Sequence, residues 1–545
     1  MLRRCAGAAL LLLLLGGGGG APVAEAGRVL GLVPVPARSH FIAFERLFKA
    51  LAARGHQVDM VSHFPQKAPS PNYTDISLRG TTPNFENSFS VEYVLDKHFF
   101  NLMQFIWQGS FDSCRKMLEY PPVKELVSSG THYDVVVVEV FGSDCGYGLA
   151  HQLGAPAIGL TTLTGLPWMD ARVGNPSPPS HVPVSFLPFT PRMGFWERVL
   201  NAAGQLYAVV GERVVGRRLT DAFLQRYLGE GAPPLEDLLR NTSLVMVNSH
   251  FSLNGARATV PGYVEVGGLH VDSQPGELPE DLHAWVEGAG DGVVLATFGS
   301  LVQAETLPGE RLRGFARALG ALRQRVVWKV DPARLPFALP RNVLPVGWVP
   351  QQALLSHPNV RAFVTHGGLG GVQEAVHWGV PMVVVPFFTD QRQNGLLLQE
   401  RGAGRVVFYK DLGEDSLLAA LAAVLGDPSY RENARRLSQQ FRDRPQAPLE
   451  TAVWWTEYVM RHRGAPHLRS AAVDLAWPQL WLLDVGAALL AILALLAAAL
   501  WLAARALAEW RRGLQDASRQ PWITISNGKA HYAPNGTNRP KHKTH

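Results

Sequence analysis

The sequence predicts two doubly wound α/β domains that face each other, followed by one membrane-spanning helix. Short β-branched runs alternate with helical patterns twice along the chain, before and after an acidic, Pro- and Gly-containing connection at 271–292. Residues 485–504 then carry no charged side chain over about the 20 positions that a bilayer span requires. At 545 residues and 47% hydrophobic, the chain also exceeds what a single core organises.

The first residues read as a secretory leader: Arg3 and Arg4, an apolar run from Ala6 to Leu15, and the small-x-small site Ala24-Glu25-Ala26, with cleavage expected before Gly27. RVLGLVPV then predicts a strand, with Ser39 as the N-cap of a helix whose Phe41, Phe44, Leu47, Phe48 and Leu51 recur at helical spacing. QVDMVS after Gly55 completes a strand-helix-strand unit, and YDVVVVEV (133–140) and SLVMVN (243–248) read as buried parallel strands. After the connection, GVVLATFGS, QRVVWKV, RAFVTHGG and PMVVVPFF predict the strands of a second sheet. The expected boundaries are a leader at 1–26, domains at 27–275 and 276–462, a juxtamembrane segment at 463–484, the span at 485–504 and a basic tail at 505–545.

Trp477 and Trp481 precede the span, Trp501 and Trp510 close it, and Arg505, Arg511 and Arg512 follow. This pattern predicts a cytosolic tail and a luminal body, the orientation that the leader also demands. The sequons at Asn72 and Asn241 are then accessible to glycosylation, whereas that at Asn535 is not. The final KHKTH resembles a dilysine retrieval signal of the endoplasmic reticulum. Only Cys114 and Cys145 follow the leader, which excludes a disulfide scaffold or zinc ribbon, and their pairing is left open. The net charge of +6 is dispersed along the chain, so no nucleic-acid partner is expected.

In open α/β sheets ligands bind beyond the carboxyl ends of strands. There the chain places His40, Asp144, Ser300, Trp348 and His366. THGGLGGVQE (365–374) is a strand end, a glycine turn and a helix start, where free N–H groups and the helix dipole favour a phosphate. His366 can donate to that phosphate and Glu374 can accept from ribose hydroxyls. Trp348 offers a stacking face for a base, Gln351 an amide for its edge or the ribose, and Asp390-Gln391 a polar pair for a sugar. No clustered Asp-x-Asp motif for a metal-bound diphosphate occurs, so no metal is expected. A nicotinamide oxidoreductase is set aside, because VPVPARSH stands where G-x-G-x-x-G would follow the first strand.

WVPQQALLSHP, THGGLGGVQE and GVPMVVVPFFTDQ together resemble the signature of the UDP-glycosyltransferases, the superfamily that includes the UDP-glucuronosyltransferases. The likeness runs from about Arg28 through the tail, and SHFIAFERLFKALAARGHQVDMVSHFP is most similar to invertebrate, arthropod-type members. The resemblance implies a GT-B fold with Rossmann-like domains, a UDP-sugar donor and no metal or other cofactor. It places Trp348 on uracil, Gln351 at its edge or the ribose, Ser300, His366, Gly368 and the Gly371 amide at the diphosphate, Glu374 at the ribose, and Asp390 with Gln391 at the sugar. The family commonly has Ser or Asn where this chain has Gly370 and Gly371, which leaves only backbone N–H groups there.

The resemblance makes His40 the base that takes a proton from an acceptor hydroxyl. A carboxylate should orient the imidazole. Asp144 is chosen over Glu139, the strand-end residue, because a short side chain beyond the strand can be held at a fixed distance. The expected activity is inverting transfer of a hexose, glucose ahead of glucuronate, to small lipophilic acceptors for detoxification or inactivation. Glucuronate would need a cation near Asp390-Gln391, for which Arg392 is the candidate. FFNLMQFIWQ (99–108) and TTLTGLPWM (161–169) are candidate acceptor walls, with core or membrane-resting surface as the alternative. A non-catalytic membrane-anchored binding protein is the alternative function, and homo-oligomerisation is left open.

Overall fold

The computed structural model describes residues 26–142, 144–229, 231–520 and 523–532. The leader, the KHKTH terminus and the Asn535 sequon lie outside them. Seven parallel strands form the first sheet: β1 (Arg28–Val33), β2 (Gln57–Ser62), β3 (Tyr73–Ser77), β4 (Val135–Glu139), β5 (Ala157–Thr161), β6 (Thr242–Val247) and β7 (Tyr263–Glu265), in the order β3-β2-β1-β4-β5-β6-β7. The second holds β8 (Val293–Thr297), β9 (Arg325–Lys329), β10 (Val343–Val346), β11 (Val360–Thr365), β12 (Met382–Val384) and β13 (Gly404–Val406), ordered β10-β9-β8-β11-β12-β13 and also parallel. Strand order reverses between β1 and β4 and again between β8 and β11. The chain leaves those paired strands toward opposite faces, opening the crevice that ligands use.

Both sheets are buried on their two faces, which is why β4 (VVVVE) and β8 (VVLAT) show no polar alternation. The first helix, α1 (Arg38–Ala53), lays Phe41, Phe44, Leu47, Phe48 and Leu51 on the β1-β2 surface. Gly31 is required where Phe48 crosses β1, because a Cβ there would stand 2.6 Å from the phenyl tip. Ser39 does not cap α1. The helix begins one residue before it, at Arg38, and its N-cap is Ala37, whose carbonyl accepts from the His40 amide. Cys114, on α2 (Phe99–Glu119), is joined by a disulfide to Cys145 at the start of α3 (Cys145–Gln152), closing the question the spacing left open.

Helix Glu280–Glu287 packs in the second domain, inside its expected range, through Leu282 and Val286 against β8 residues Val293 and Leu295. The domain boundaries differ from expectation in two places. Residues 87–94 leave the first domain: Phe89 bridges to Val302, and Val91 and Val94 join the core containing Phe298 and Phe315. Finally, helix Pro448–Arg461 returns to the first domain. Its Ala452, Val453 and Val459 share a core with Phe41 and Phe44, and Glu457 accepts from Arg54 Nε at 2.7 Å. An amphipathic helix finds whichever apolar surface is free, and sequence order does not say which.

Residues from Asp474 onward form a separate unit. Its main element is a 37-residue helix, Leu483–Arg519, long and apolar enough to cross a membrane, with no residue buried in protein. It runs past the expected limit at Ala504 and is followed by a hairpin, Ile523–Ser526 and Lys529–Tyr532, turned by Asn527 and Gly528 at positive φ.

Candidate active site

The first reversal point brings His40 to the end of β4. His40 Nδ1 lies 2.7 Å from Glu139 Oε1, and Glu139 Oε2 accepts the Val35 amide at 3.2 Å. An ionised carboxylate can only accept, so Nδ1 carries the proton and Nε2 keeps its lone pair. The Phe141 ring stands edge-on to the imidazole at 4.7 Å. Asp144, the carboxylate expected here, is elsewhere: it is buried and bound to Arg172 Nη2 at 2.6 Å. β4 pairs directly with β1, so the side chain ending β4 meets the turn that follows β1. Asp144 lies beyond another turn, at the foot of α3, where Arg172 takes it.

The second reversal point builds a cradle from β8 and β11. Gly367 has φ 88°, and Gly368 precedes the helix Leu369–Trp378, whose first N–H groups at Leu369, Gly370 and Gly371 have no intrahelical partners. His366 is packed so closely that a Cβ on Gly299 or Gly368 would meet its ring. Burial, aided by the Lys329 charge, lowers its pKa to about 4, so it is a neutral donor or acceptor, and its buried Nδ1 has no partner. Lys329 Nζ is bound to Gly299 O at 2.7 Å and Asn87 Oδ1 at 2.9 Å, and stands 5.9 Å above the Trp348 ring. That indole is 62% exposed, a large apolar face left open.

Glu374 lies on the inner side of the same helix. Gln351 and Gln352 donate to its two oxygens, and His270 Nε2 is 3.6 Å away. Burial raises its pKa to about 7 against the lowering effect of both amides. Asp390 is raised by burial too, and is held by Asn394 Nδ2 at 2.8 Å and Thr389 Oγ1 at 3.0 Å. Gln391 Oε1 accepts the Phe387 and Phe388 amides, so its orientation is fixed and its NH2 is left for another partner. Thr389 has φ 54°, a left-handed conformation that costs a branched residue strain and fixes the turn presenting Asp390.

These groups line one cavity of about 700 Å³ between the two sheets: His40, Ser300, Trp348, Gln351, His366, Gly368, Gly371, Glu374, Asp390 and Gln391 all face it. Leu102, Phe105 and Ile106 of α2, with Phe141, Leu163 and Phe186, add an apolar wall. The two candidate acceptor segments thus divide, since Trp107, Trp168 and Met169 are core. Arg392 is exposed and does not line the cavity. Sequence reading missed Lys329, Gln352, His270 and Asn394. Lys329 had a signal, because it ends the strand in QRVVWKV. The group of described residues closest to a metal-binding set, His283, Glu287 and His357, lies away from the cavity.

Two parallel sheets share one cavity lined both by a histidine held on a carboxylate and by a glycine turn at a helix start, an arrangement that suits a group transferase with a phosphate-bearing donor. The family described as UDP-glucoronosyl and UDP-glucosyl transferase matches residues 28–512, and the chain belongs to it: it is a UDP-glycosyltransferase. It is 37% identical to UDP-glucosyltransferase 2 of Dactylopius coccus, over 84% of this chain and 88% of that protein. It is 33% identical to UDP-glucuronosyltransferase 1A7 of Mus musculus, over 86% and 90%. Among solved structures, the calicheamicin glycosyltransferase CalG4 superimposes with a TM-score of 0.55 at 22% identity, covering 80% of this chain and 99% of CalG4, in agreement with the GT-B fold.

Proposed function

We propose that the chain transfers glucose from UDP-glucose to hydroxyl groups of small lipophilic acceptors, with inversion and without a metal, in detoxification or inactivation of such compounds. The observation that carries this is the His40–Glu139 pair at the wall shared by the apolar pocket and the donor cradle. The acceptor hydroxyl gives its proton to His40 Nε2 as its oxygen bonds to the anomeric carbon. The bond from that carbon to the diphosphate breaks, and UDP leaves from the opposite face with the electron pair. Glu139 stabilises the imidazolium as the proton arrives. The N–H groups at the start of Leu369–Trp378, together with His366, receive the charge growing on the diphosphate. Trp348 stacks on uracil, Glu374 accepts from the ribose, and Asp390 with Gln391 holds the sugar hydroxyls.

Glucose is favoured over glucuronate because Arg392 does not reach the cavity. The cations that do line it are engaged: Arg38 and Lys49 with Glu45, Arg46 with Asp272, and Lys329 with Gly299 and Asn87. Donor competition in microsomes, measuring which UDP-sugar supports conjugate formation, tests this. Preferential use of UDP-glucuronate would overturn it.

The same reading anchors the chain in the endoplasmic-reticulum membrane through Leu483–Arg519, body luminal and tail cytosolic. Glycans at Asn72 and Asn241, both exposed, and none at Asn535 are the expected result of deglycosylation and mass mapping. A glycan at Asn535 would reverse the orientation.

A further inference from the structure

His40 and the donor cradle sit on turns of different domains, and one short segment at the cavity wall bonds to both. The Phe85 amide donates to Pro36 O at 3.0 Å. Pro36 follows Val35, whose amide Glu139 accepts, and leads into the helix that carries His40. Two residues on, the Asn87 amide donates to Ser300 O at 2.7 Å. Ser300 follows Gly299, where a Cβ would stand 2.6 Å from the His366 ring. Two residues of chain reach about 7 Å at most, so this segment limits how far the two turns can separate.

Asn87 binds the second domain through every polar group that can accept or donate there. Besides its amide, its carbonyl accepts from Gln303 Nε2 and its Oδ1 accepts from Lys329 Nζ at 2.9 Å. Its φ of 44° lies in the left-handed region, which Asn occupies more readily than most residues. Yet Asn87 is exposed, and the segment is already secured without it. Val91 and Val94 are buried in the second core, and Phe89 exchanges backbone bonds with Leu301 and Gln303 at 3.1 and 3.0 Å. Exposed positions of this kind contribute little to stability, so the bonds and the unusual φ call for a geometric role.

We propose that Asn87 is a positioning residue for the transfer, a cross-domain strut that keeps the turn of His40 in register with the turn beside the diphosphate. The acceptor oxygen held by His40 and the anomeric carbon held by the cradle then meet at bonding distance. A misplacement of about 1 Å between such groups costs about 10²-fold in rate. The proposal rests on the reading above, in which His40 and the cradle serve one reaction.

The test uses the full-length chain in detergent, with p-nitrophenol as acceptor and UDP-glucose and UDP-glucuronate run in parallel. Rates are expressed per UDP-binding site. Asn87→Pro removes the amide donor and fixes φ near −65°, and should lower kcat by about 30- to 100-fold while the Kd of UDP stays within about threefold. Asn87→Gly keeps the N–H and the positive φ, and should retain kcat within about threefold of wild type. Asn87→Val keeps the N–H but resists the positive φ, so its kcat should lie between the two, which also serves if the proline variant does not fold. Thermal midpoints should stay within about 2 °C of wild type for the glycine and valine variants. Wild-type kcat in Asn87→Val, or a glycine variant as slow as the valine one, overturns the proposal. So does a rate loss accompanied by an equal loss of UDP-binding sites, which assigns Asn87 to folding alone. A wild-type chain that turns over neither UDP-sugar overturns the underlying reading and the proposal together.

Discussion

His40 Nδ1 and Glu139 Oε1 are 2.7 Å apart across the ends of two neighbouring parallel strands, β1 and β4. The pair fixes the tautomer that leaves Nε2 basic. Glu139→Gln should lower kcat by about 10²–10⁴-fold, because an amide can hold the ring in the wrong tautomer and cannot stabilise its charge. His40→Ala should lower UDP release with a phenolic acceptor by a similar factor while donor binding persists. Unchanged release would remove His40 from the chemistry.

Asp144 should behave differently. Its removal strands Arg172 as an unpaired buried charge, so Asp144→Ala should cost about 3–5 kcal/mol of stability. Thermal unfolding in detergent would read this as a lowered midpoint, with kcat of the folded fraction close to wild type. A large kcat loss with unchanged stability would return the catalytic role to Asp144.

Glu374 gives a pH dependence whose sign is set by burial. Its carboxyl is raised to about 7 in the folded chain, so its contribution to stability is complete below the ordinary Glu value of about 4.3 and is lost as pH rises through 7. Ribose hydroxyls donate to the charged form, and nearby His270, with its pKa lowered to about 4 by burial, is neutral throughout that range. Donor KM should therefore fall as pH rises from about 6 to about 8. In Glu374→Gln the profile should be flat, and a wild-type-like slope in that variant would assign the titration to another group.

Trp348 is 62% exposed and has much apolar surface to cover with a base. Trp348→Ala should raise donor KM by about 10- to 100-fold, the equivalent of one base-aromatic stack, with kcat nearly unchanged. Steady-state kinetics over UDP-sugar concentration separates the two. A loss confined to kcat would contradict stacking.

The alternation of strand and helix, the uncharged span and the motifs from Trp348 to Gln391 were legible in the residues. Each is a local pattern: strand period, glycine turn, helix start. Ten of the positions expected near a ligand border one cavity, because residues that follow parallel strands emerge at the carboxyl ends of the sheet. The return of Pro448–Arg461 to the first domain was not legible, since nothing in AVWWTEYVM states which core its apolar stripe will meet.

The partner of His40 marks the limit most sharply. Sequence supplied two carboxylates, Glu139 and Asp144, within five residues of each other, and a reach argument that preferred the shorter. Only the pairing of β4 beside β1, and the presence of Arg172 beneath α3, decided between them. Local pattern determines what a segment is and where its ends point. Which groups share a charge or a proton depends on contacts between segments distant in the chain, and those exist only once the sheets have closed.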